Sequence, residues 1–511
     1  MDTLHTMLKS ARSFFCGTFL SRLSGYGRDV AMAFCFGASA EVAGFLVAFR
    51  LANLFRRVLG EGNLQSGFIP QFESLRQESF EKAVHFYRDA ALFFLVISVG
   101  VIFAFEGILW FLLDAVSASW QEIVRLTMWM LPSLLFICLS GLNQALLQSQ
   151  KKYFWPAFAP VIFNAAWIVA AFISRDMTEL AIWVAAGSFF QWLFSSLQVR
   201  KEFLLVKNQK RAFFSPSCQG LIRFMMLGLL GVAAMQINSA LDAIFARMAD
   251  ASGPVYLLYA IRVQQLPLAL FGLALSGALL PPLSRAVRNG DMSLFYEFLG
   301  SSLKRGAALM IPSTFALFAL GSAGLHLLFG HGHFHAADVQ NTVFCLWAYA
   351  AGLIPSVFVL LLSQAFYAQN MYWIPARATL YAVGLNIFLN ALFVFGLSWG
   401  AASIAWATSL SSLVDAYLLA RRLSRSIDFS LIQLSIRLSV ASLVPAALCL
   451  FLQNSLFQEP PLRSIDQIGE CVFLAAVYLT GVAGLARALS IHELWEVLSG
   501  WKKIIPDKSQ G

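Results

Sequence analysis

The sequence predicts an all-α polytopic membrane protein of about fourteen transmembrane helices, arranged as two six-helix lobes in parallel repeat plus two C-terminal helices. Three observations carry the prediction. The 511 residues are 59% hydrophobic and 12% charged, with a mean hydropathy of +0.70, whereas about a quarter of a soluble globular chain is charged. Apolar stretches of the length that crosses a bilayer as a helix are centred near residues 22, 47, 98, 134, 163, 189, 232, 268, 312, 352, 385, 410, 442 and 478. Lysine and arginine collect in alternate loops. Lipid offers the backbone no hydrogen bonds, so the spans are expected to be helices.

The elements follow in order. Lys9 and Arg12 precede span 1, and Arg56, Arg57, Arg76, Lys82 and Arg88 lie between spans 2 and 3. Lys151 and Lys152 separate spans 4 and 5; Arg200, Lys201, Lys207, Lys210 and Arg211 follow span 6. Arg285 and Arg288 follow span 8, Arg421, Arg422 and Arg425 follow span 12, and Lys502, Lys503 and Lys508 lie after span 14. The intervening loops FGASAE, DAVSASWQE and LSWG are poor in both residues. The positive-inside rule then puts both termini in the cytoplasm. The net charge of +9 is thereby read as a topology signal, and nucleic acid is not an expected partner. Span 1 carries internal arginines and no small-residue cleavage site, so it is expected to be retained. The seven cysteines are scattered singly, without the spacing of a disulfide framework or a zinc site.

Two pairs of segments repeat at a spacing of roughly 210–220 residues. LNQALLQSQKKYFWPAF, with Gln144-Ala145 and Pro156-Ala157, matches LSQAFYAQNMYWIPAR, with Gln364-Ala365 and Pro375-Ala376. AFRLANLF…QSGFIPQFESL matches AIRVQQLP…LSGALLPPLSR, aligning Arg50 with Arg262 and Ser66-Gly67 with Ser276-Gly277. The separation covers six spans, so the copies keep one orientation, as in parallel-repeat transporters with a substrate site between halves. The expected divisions are residues 1–210 (spans 1–6), 211–427 (spans 7–12) and 428–511 (spans 13 and 14 and a cytoplasmic tail).

The chemistry concentrates in a few charged residues inside the spans. Arg22 and Arg28 flank Gly25 and Gly27 in span 1, Arg50 lies in AGFLVAFRLANLF and Arg262 in VYLLYAIRVQQLPLALFG. Such charges are kept where they face a cavity or a partner. One reading is an anionic substrate, for which a guanidinium offers a bidentate fork; the other is a packing role beside a buried acid. Asp29 is the acid nearest Arg28, although adjacent helical residues do not normally face each other. Asn53 lies three residues from both Arg50 and Arg56, and Arg56 and Arg57 are interfacial anchors or the mouth of a cavity. The glycine-rich LGEGNLQSGFIP, with Gly60, Gly62 and Gly67, is a hinge or gate, or an ordinary interfacial helix. Asp242 with Asn238, Asn386 with Asn390, and Thr408 offer oxygens to a hard cation such as sodium, or form an interhelical hydrogen-bond network. His331, His333 and His335 alternate in a short exterior loop that lacks further ligands, and read as an exposed turn. No Walker loop, dinucleotide turn or catalytic triad is present.

SRLSGYGRDVAMAFCFGAS followed by VAFRLANLFRRVLGEGNLQSGFIP resembles the MurJ/MviN family of lipid II flippases, within the multidrug/oligosaccharidyl-lipid/polysaccharide exporter superfamily. YAIRVQQLPLALFGLALSGALLPPLSR extends the resemblance, which covers essentially the whole chain. It implies two six-helix lobes plus two helices, and transfer of the undecaprenyl-pyrophosphate-linked disaccharide-pentapeptide peptidoglycan precursor from the inner to the outer leaflet of the bacterial cytoplasmic membrane. It maps cavity arginines onto Arg22, Arg28, Arg56 and Arg262, and a sodium site onto Asp242, Asn386, Asn390 and Thr408. It also implies that spans 13 and 14 form a groove for the lipid tail. The chain departs from many relatives at Ala43, Ala52, Ile261 and Gln265, where acids or proline occur elsewhere; Glu41, two residues from Ala43, points to a different side of the helix. Two rival readings are a drug/cation antiporter of the same superfamily, which wants cavity acids, and a polytopic enzyme acting on polyprenyl-linked sugars, which wants a large exterior loop. Other cell-wall synthesis proteins are candidate partners.

The charge pattern predicts that single cysteines at Ser117 and Gly332 react with a membrane-impermeant thiol reagent added to intact cells. Cysteines at Lys152 and Lys207 should stay protected. Labelling at Lys152 with protection at Gly332 would invert the topology.

Overall fold

The computed structural model describes residues 4–54, 56, 63–201, 215–423, 429–457 and 464–496. Every regular element among these residues is a helix, with no strand among them. Contacts divide the chain into two compact units, Met1–Arg247 and Met248–Gly511.

In the first unit the helices run α1 (Leu4–Phe36), α2 (Ala40–Ala52), α3 (Asn63–Glu78), α4 (Phe80–Leu113), α5 (Ala118–Met130), α6 (Ser133–Ser149), α7 (Phe154–Ile173), α8 (Met177–Gln198) and α9 (Pro216–Ala249). Local chemistry sets several boundaries. Ser39 Oγ accepts from the Val42 amide at the start of α2, and Asp176 from the Glu179 amide at the start of α8; each satisfies an orphan helix donor. A cluster of Leu64, Phe68, Phe72, Phe86, Tyr87, Leu142 and Leu146 joins α3, α4 and α6. α1 lies closely along α7. A Cβ added at Gly17 would come 2.7 Å from the Ala157 Cβ and 2.8 Å from the Phe154 carbonyl oxygen. Glycine at that point lets the two backbones approach, as small residues do between membrane helices.

In the second unit follow α10 (Gly253–Pro267), a π-helical turn (Leu268–Gly272), α11 (Leu273–Arg288), α12 (Met292–Phe329), α13 (Ala336–Ala351), α14 (Leu353–Ala368), α15 (Trp373–Ala391) with a π-helical turn (Leu392–Gly396), α16 (Ala402–Arg422), α17 (Phe429–Leu456) and α18 (Ser464–Ala488). One large apolar core links α11, α12, α14, α17 and α18. α17 and α18 pack on α12, where Tyr478 donates to the Pro312 carbonyl at 2.6 Å.

The duplication read in the sequence recurs in the backbone. α6 and α14 both end in a Schellman turn, with the Lys152 amide donating to the Leu147 carbonyl and the Met371 amide to the Phe366 carbonyl, each at 2.9 Å. Lys151 and Asn370 occupy the left-handed position at φ 63° and 59°, as the motif requires. Each following helix begins three residues later and carries proline as its third residue, Pro156 and Pro375, where the missing N–H belongs to the unsatisfied first turn. α3 packs on α6 as α11 packs on α14. In the second copy Gln364 donates to Ser276 Oγ at 2.9 Å; the side chain of its counterpart Ser66 lies outside the described residues.

Ten helical stretches are long and apolar enough to cross a membrane among the described residues. α1, α2, α9 and α16 are not among the ten. Those four carry Arg22, Arg28, Arg50, Asp242 and Thr408.

Gly17→Leu should break the α1–α7 seam at a cost of about 1–3 kcal/mol, the usual range for overpacking. Thermal unfolding in detergent should fall by several degrees. Gly100→Ala should leave it unchanged, because nothing lies within 4 Å of a Cβ added there.

Candidate functional site

Arg28, on α1, is the best-defined of the charges singled out in the sequence. Its Nη2 and Nε donate to Asp29 Oδ1 at 2.7 and 3.0 Å, and its Nη1 to Asn164 Oδ1 at 3.3 Å. The guanidinium carbon stands 4.8 Å from the centre of the Trp167 ring, so the ring face adds a cation–π contact. The two side chains are 12% and 4% exposed. Neighbouring positions on a helix diverge, but the long arginine side chain folds back across its own helix to reach Asp29. Asn164 completes the arrangement by donating to Ser24 Oγ at 2.9 Å and the Ser21 carbonyl at 3.4 Å. Asn164 and Trp167 are one turn apart on α7 and reach α1 because Gly17 draws the helices together. Both were missed in the sequence. A lone amide in the apolar run APVIFNAAW was the available signal, since polar residues between membrane helices make interhelical bonds.

The other arginines are held differently. Arg22, six residues earlier on α1, is exposed and has no hydrogen bond or ion pair among the described residues. Arg50, on the last turn of α2, donates through Nη1 to the Ser239 carbonyl at 3.0 Å and Ser239 Oγ at 3.3 Å. That bond ties α2 to α9. Asn53 is the C-cap of α2, and its amide donates to the Phe49 carbonyl at 2.7 Å; it finishes the helix instead of turning toward Arg50 or Arg56. Arg56 is half-buried; Arg57, and with it Gly60 and Gly62 of the expected hinge, lie outside the described residues. Arg262 is half-buried on α10, one turn before Pro267 and the π-helical turn. Proline removes a backbone donor at that point, and π turns recur at functional sites in helices. Ala43 is fully buried on α2 while Glu41 is exposed at its first turn, so Glu41 does not stand in for an acid at 43.

The polar constellation falls in two places. Asp242 accepts from Asn238 Nδ2 at 3.4 Å on α9, in the first unit. Asn386, Asn390 and Thr408 form a chain in the second: Asn390 Nδ2 donates to Asn386 Oδ1 at 3.0 Å, Asn386 Nδ2 to Thr408 Oγ1 at 3.4 Å, and Thr408 to the Ile404 carbonyl at 3.0 Å. Asn386 and Asn390 are 1% and 0% exposed. Within the second unit this chain supplies amide and hydroxyl oxygens from two helices, ligands of the kind a small hard cation takes. His335 caps α13 in a reciprocal pair with Asp338, and His331 Nε2 lies 3.2 Å from the Leu327 carbonyl, so the histidine loop is a helix cap. Among the described residues no group of three or more His, Cys, Asp or Glu is arranged to hold a metal.

The sequence reading also passed over two features. Tyr87, Asn143, Ser195 and Ser196 form a buried hydrogen-bonded cluster joining α4, α6 and α8. Asp415 is buried on α16 beside Thr379.

Ten apolar helical stretches of membrane-crossing length and a duplicated helix-end turn define a polytopic membrane protein. Residues 32–460 match a family model described as lipid II flippase MurJ, and the chain belongs to that family. It is 30% identical over 522 residues to a probable lipid II flippase MurJ of Chlamydia trachomatis, covering 98% of this chain and 97% of the relative. A Chlamydia pneumoniae relative of the same description is 31% identical, over 98% and 95% of the two chains. Among solved structures, a lipid II flippase MurJ in an inward closed conformation superposes with a TM-score of 0.75 at 24% identity, over 93% of this chain and 99% of that one. An inward-facing multidrug resistance transporter of the MATE family and MOP superfamily follows the same fold with a TM-score of 0.64 at 15% identity, over 81% and 96% of the chains.

Asp29→Leu should destabilise the protein by roughly 3–5 kcal/mol, the cost of breaking a buried pair by removing one partner. Arg28→Met combined with Asp29→Leu should recover most of that. Equal unfolding temperatures for the single and double variants would show that Asp29 does not compensate Arg28.

Proposed function

We propose that this protein is a lipid II flippase: it carries the undecaprenyl-pyrophosphate-linked peptidoglycan precursor from the inner to the outer leaflet of the bacterial cytoplasmic membrane by alternating access. Membership of the MurJ family over residues 32–460 carries the reading. The protein is a transporter and not an enzyme; no bond of the substrate is made or broken. The drug/cation antiporter reading is weaker because the spans of the first unit present arginines where cationic drugs want acids. The enzyme reading lacks an exterior loop large enough for a catalytic site.

The membrane topology follows from the same reading. Adding α1, the α2–α3 segment, α9 and α16 to the ten apolar stretches gives fourteen spans, an even number, with both termini cytoplasmic. The repeat sets spans 1–6 and 7–12 as lobes at 1–210 and 211–427, with spans 13 and 14 in 428–511. α17 and α18 would flank the lipid tail while the headgroup travels through the protein.

The proposed transport chemistry is an exchange of partners. Arg28 is already desolvated and oriented by Asn164 and Trp167. A pyrophosphate oxygen can take the place of Asp29 on the guanidinium fork, and charge-assisted bidentate pairing is the strongest the side chain makes. Arg22 and Arg56 offer further charge on the same unit, and Arg262 offers it on the other. Arg50 has a different task, since its bond to Ser239 couples α2 to α9. A sodium ion, when bound by Asp242, Asn386, Asn390 and Thr408, would supply the charge that balances the carboxylate. The side chains would bias the access states only through differential affinity. Cell-wall synthesis proteins are the proposed further partners.

Depletion of the protein should cause lipid II to accumulate in the inner leaflet, and expression of the wild-type chain should restore growth. Arg28→Ala and Arg262→Ala, at equal membrane abundance, should fail to restore it, each lost charge-assisted bond costing about 1.5–3 kcal/mol. Arg28→Lys should recover only part, because a point charge lacks the fork. Asp242→Asn should abolish any sodium dependence. Normal complementation by both alanine variants would remove the anion site from the account.

A further inference from the structure

The seam between α15 and α16 carries a second polar rung that no part of the transport reading uses. The first rung is Asn386 with Thr408. Moving seven residues back along α15 reaches Thr379, and seven residues forward along α16 reaches Asp415. The helices are antiparallel, so the two steps lead to the same level, about 10 Å from the first rung at 1.5 Å per residue. Thr379 donates to Asp415 Oδ2 at 3.3 Å. Asp415 is 6% exposed, and its Oδ1 is buried with no hydrogen-bond partner among the described residues.

The surroundings of this carboxylate lack a positive charge. No ion pair reaches it among the described residues. The helices packed against α16 are α10, α13, α14 and α15. Their titratable and charged groups are Tyr256, Tyr259 and Arg262 on α10, Asp338, Cys345 and Tyr349 on α13, Tyr367 on α14, and Arg377 and Tyr381 on α15. None of these forms a hydrogen bond or ion pair with Asp415 among the described residues. Arg377 is exposed and donates to Tyr381 instead. On α16 itself Tyr417, Arg421 and Arg422 are exposed. An ionised carboxylate here would therefore be buried in a membrane protein with one neutral hydroxyl as its donor. Burial without a counter-charge disfavours the charged form, and an ionisable side chain within a membrane helix is by default a functional-site hypothesis.

We propose that Asp415 is a proton-binding site, distinct from the Asn386–Asn390–Thr408 cluster. With the seam packed as it is here, a proton on Oδ1 neutralises the side chain. The proton leaves when the seam opens to water, because only a hydrated carboxylate can carry the charge. Asp415 lies six residues from the Arg421–Arg422 end of α16, about 9 Å along the helix, so a small separation of α15 from α16 wets it. The proton is then tied to one arrangement of the second unit, and pH biases that arrangement through the differential affinity of its two states.

Difference infrared spectroscopy of the full-length protein in lipid nanodiscs, recorded between acid and neutral pH, tests this. The wild type should show the carbonyl stretch of a protonated carboxyl on the acid side, lost as the pH is raised. Asp415→Asn should remove that band, and Asp242→Asn should leave it. Thr379→Val, which removes the one donor to the carboxylate, should move its midpoint upward by about one pH unit or more, as the loss of a hydrogen bond to a charged group implies. Sodium at fixed pH should not displace the band; if it does, the site takes a metal cation and the proton assignment fails. A band that survives in Asp415→Asn, or a midpoint unmoved in Thr379→Val, overturns the proposal. Loss of the band in a folded Asp242→Asn variant would also overturn it, since the proton would then belong to Asp242.

Discussion

An arginine in a membrane span must be given partners before it can be given a substrate. Insertion scales charge several kcal/mol for a guanidinium at the bilayer centre, and this chain meets that cost on α1. Asp29 neutralises Arg28 from the adjacent position, Asn164 accepts a third N–H, and Trp167 offers its ring face. The arrangement depends on how close α7 comes to α1, and that distance is set at Gly17 against Ala157 and Phe154. Packing, compensation and the proposed binding chemistry are thus one construction. Under the proposed binding, a pyrophosphate at Arg28 would meet a guanidinium whose desolvation folding has already borne, and would compete with Asp29 for it.

The same economy of polar groups runs through both units. Arg50 ties α2 to α9 through Ser239, and Asn386 ties α15 to α16 through Thr408. The first is a charged donor on neutral acceptors and the second a neutral pair, and each joins two helices. Bonds of this kind are modest in strength, and their value is in fixing which faces meet. The Asp415–Thr379 rung extends the pattern to a group that can change its charge.

Much of the architecture was legible because lipid imposes simple rules. Apolar span length gave the helices, and the repeated Gln-Ala and Pro-Ala segments marked where α6 and α14 end, although the Schellman turns at Lys151 and Asn370 were not read from it. What the sequence obscured was side-chain reach. Spacing arguments treat neighbouring helical residues as diverging, yet Arg28 curls back onto Asp29. Asn53 shares a face with Arg50 by count, but its short amide turns inward to the Phe49 carbonyl and caps the helix. Asn164, Trp167 and Asp415 were hidden because a single polar or aromatic residue in an apolar run has no partner visible along the chain. Their partners lie on another helix, and in Asn164's case 140 and 136 residues away.

The most direct measurement is transfer of fluorescent lipid II across proteoliposomes containing the purified protein, read by a membrane-impermeant quencher. Wild-type protein should make the inner-leaflet pool accessible to the quencher. Arg28→Ala, reconstituted at equal density, should leave that pool protected, and Arg28→Lys should fall between. Transfer by Arg28→Ala at the wild-type rate would contradict the account, because the guanidinium that the fold is built to desolvate would then have no part in moving the substrate.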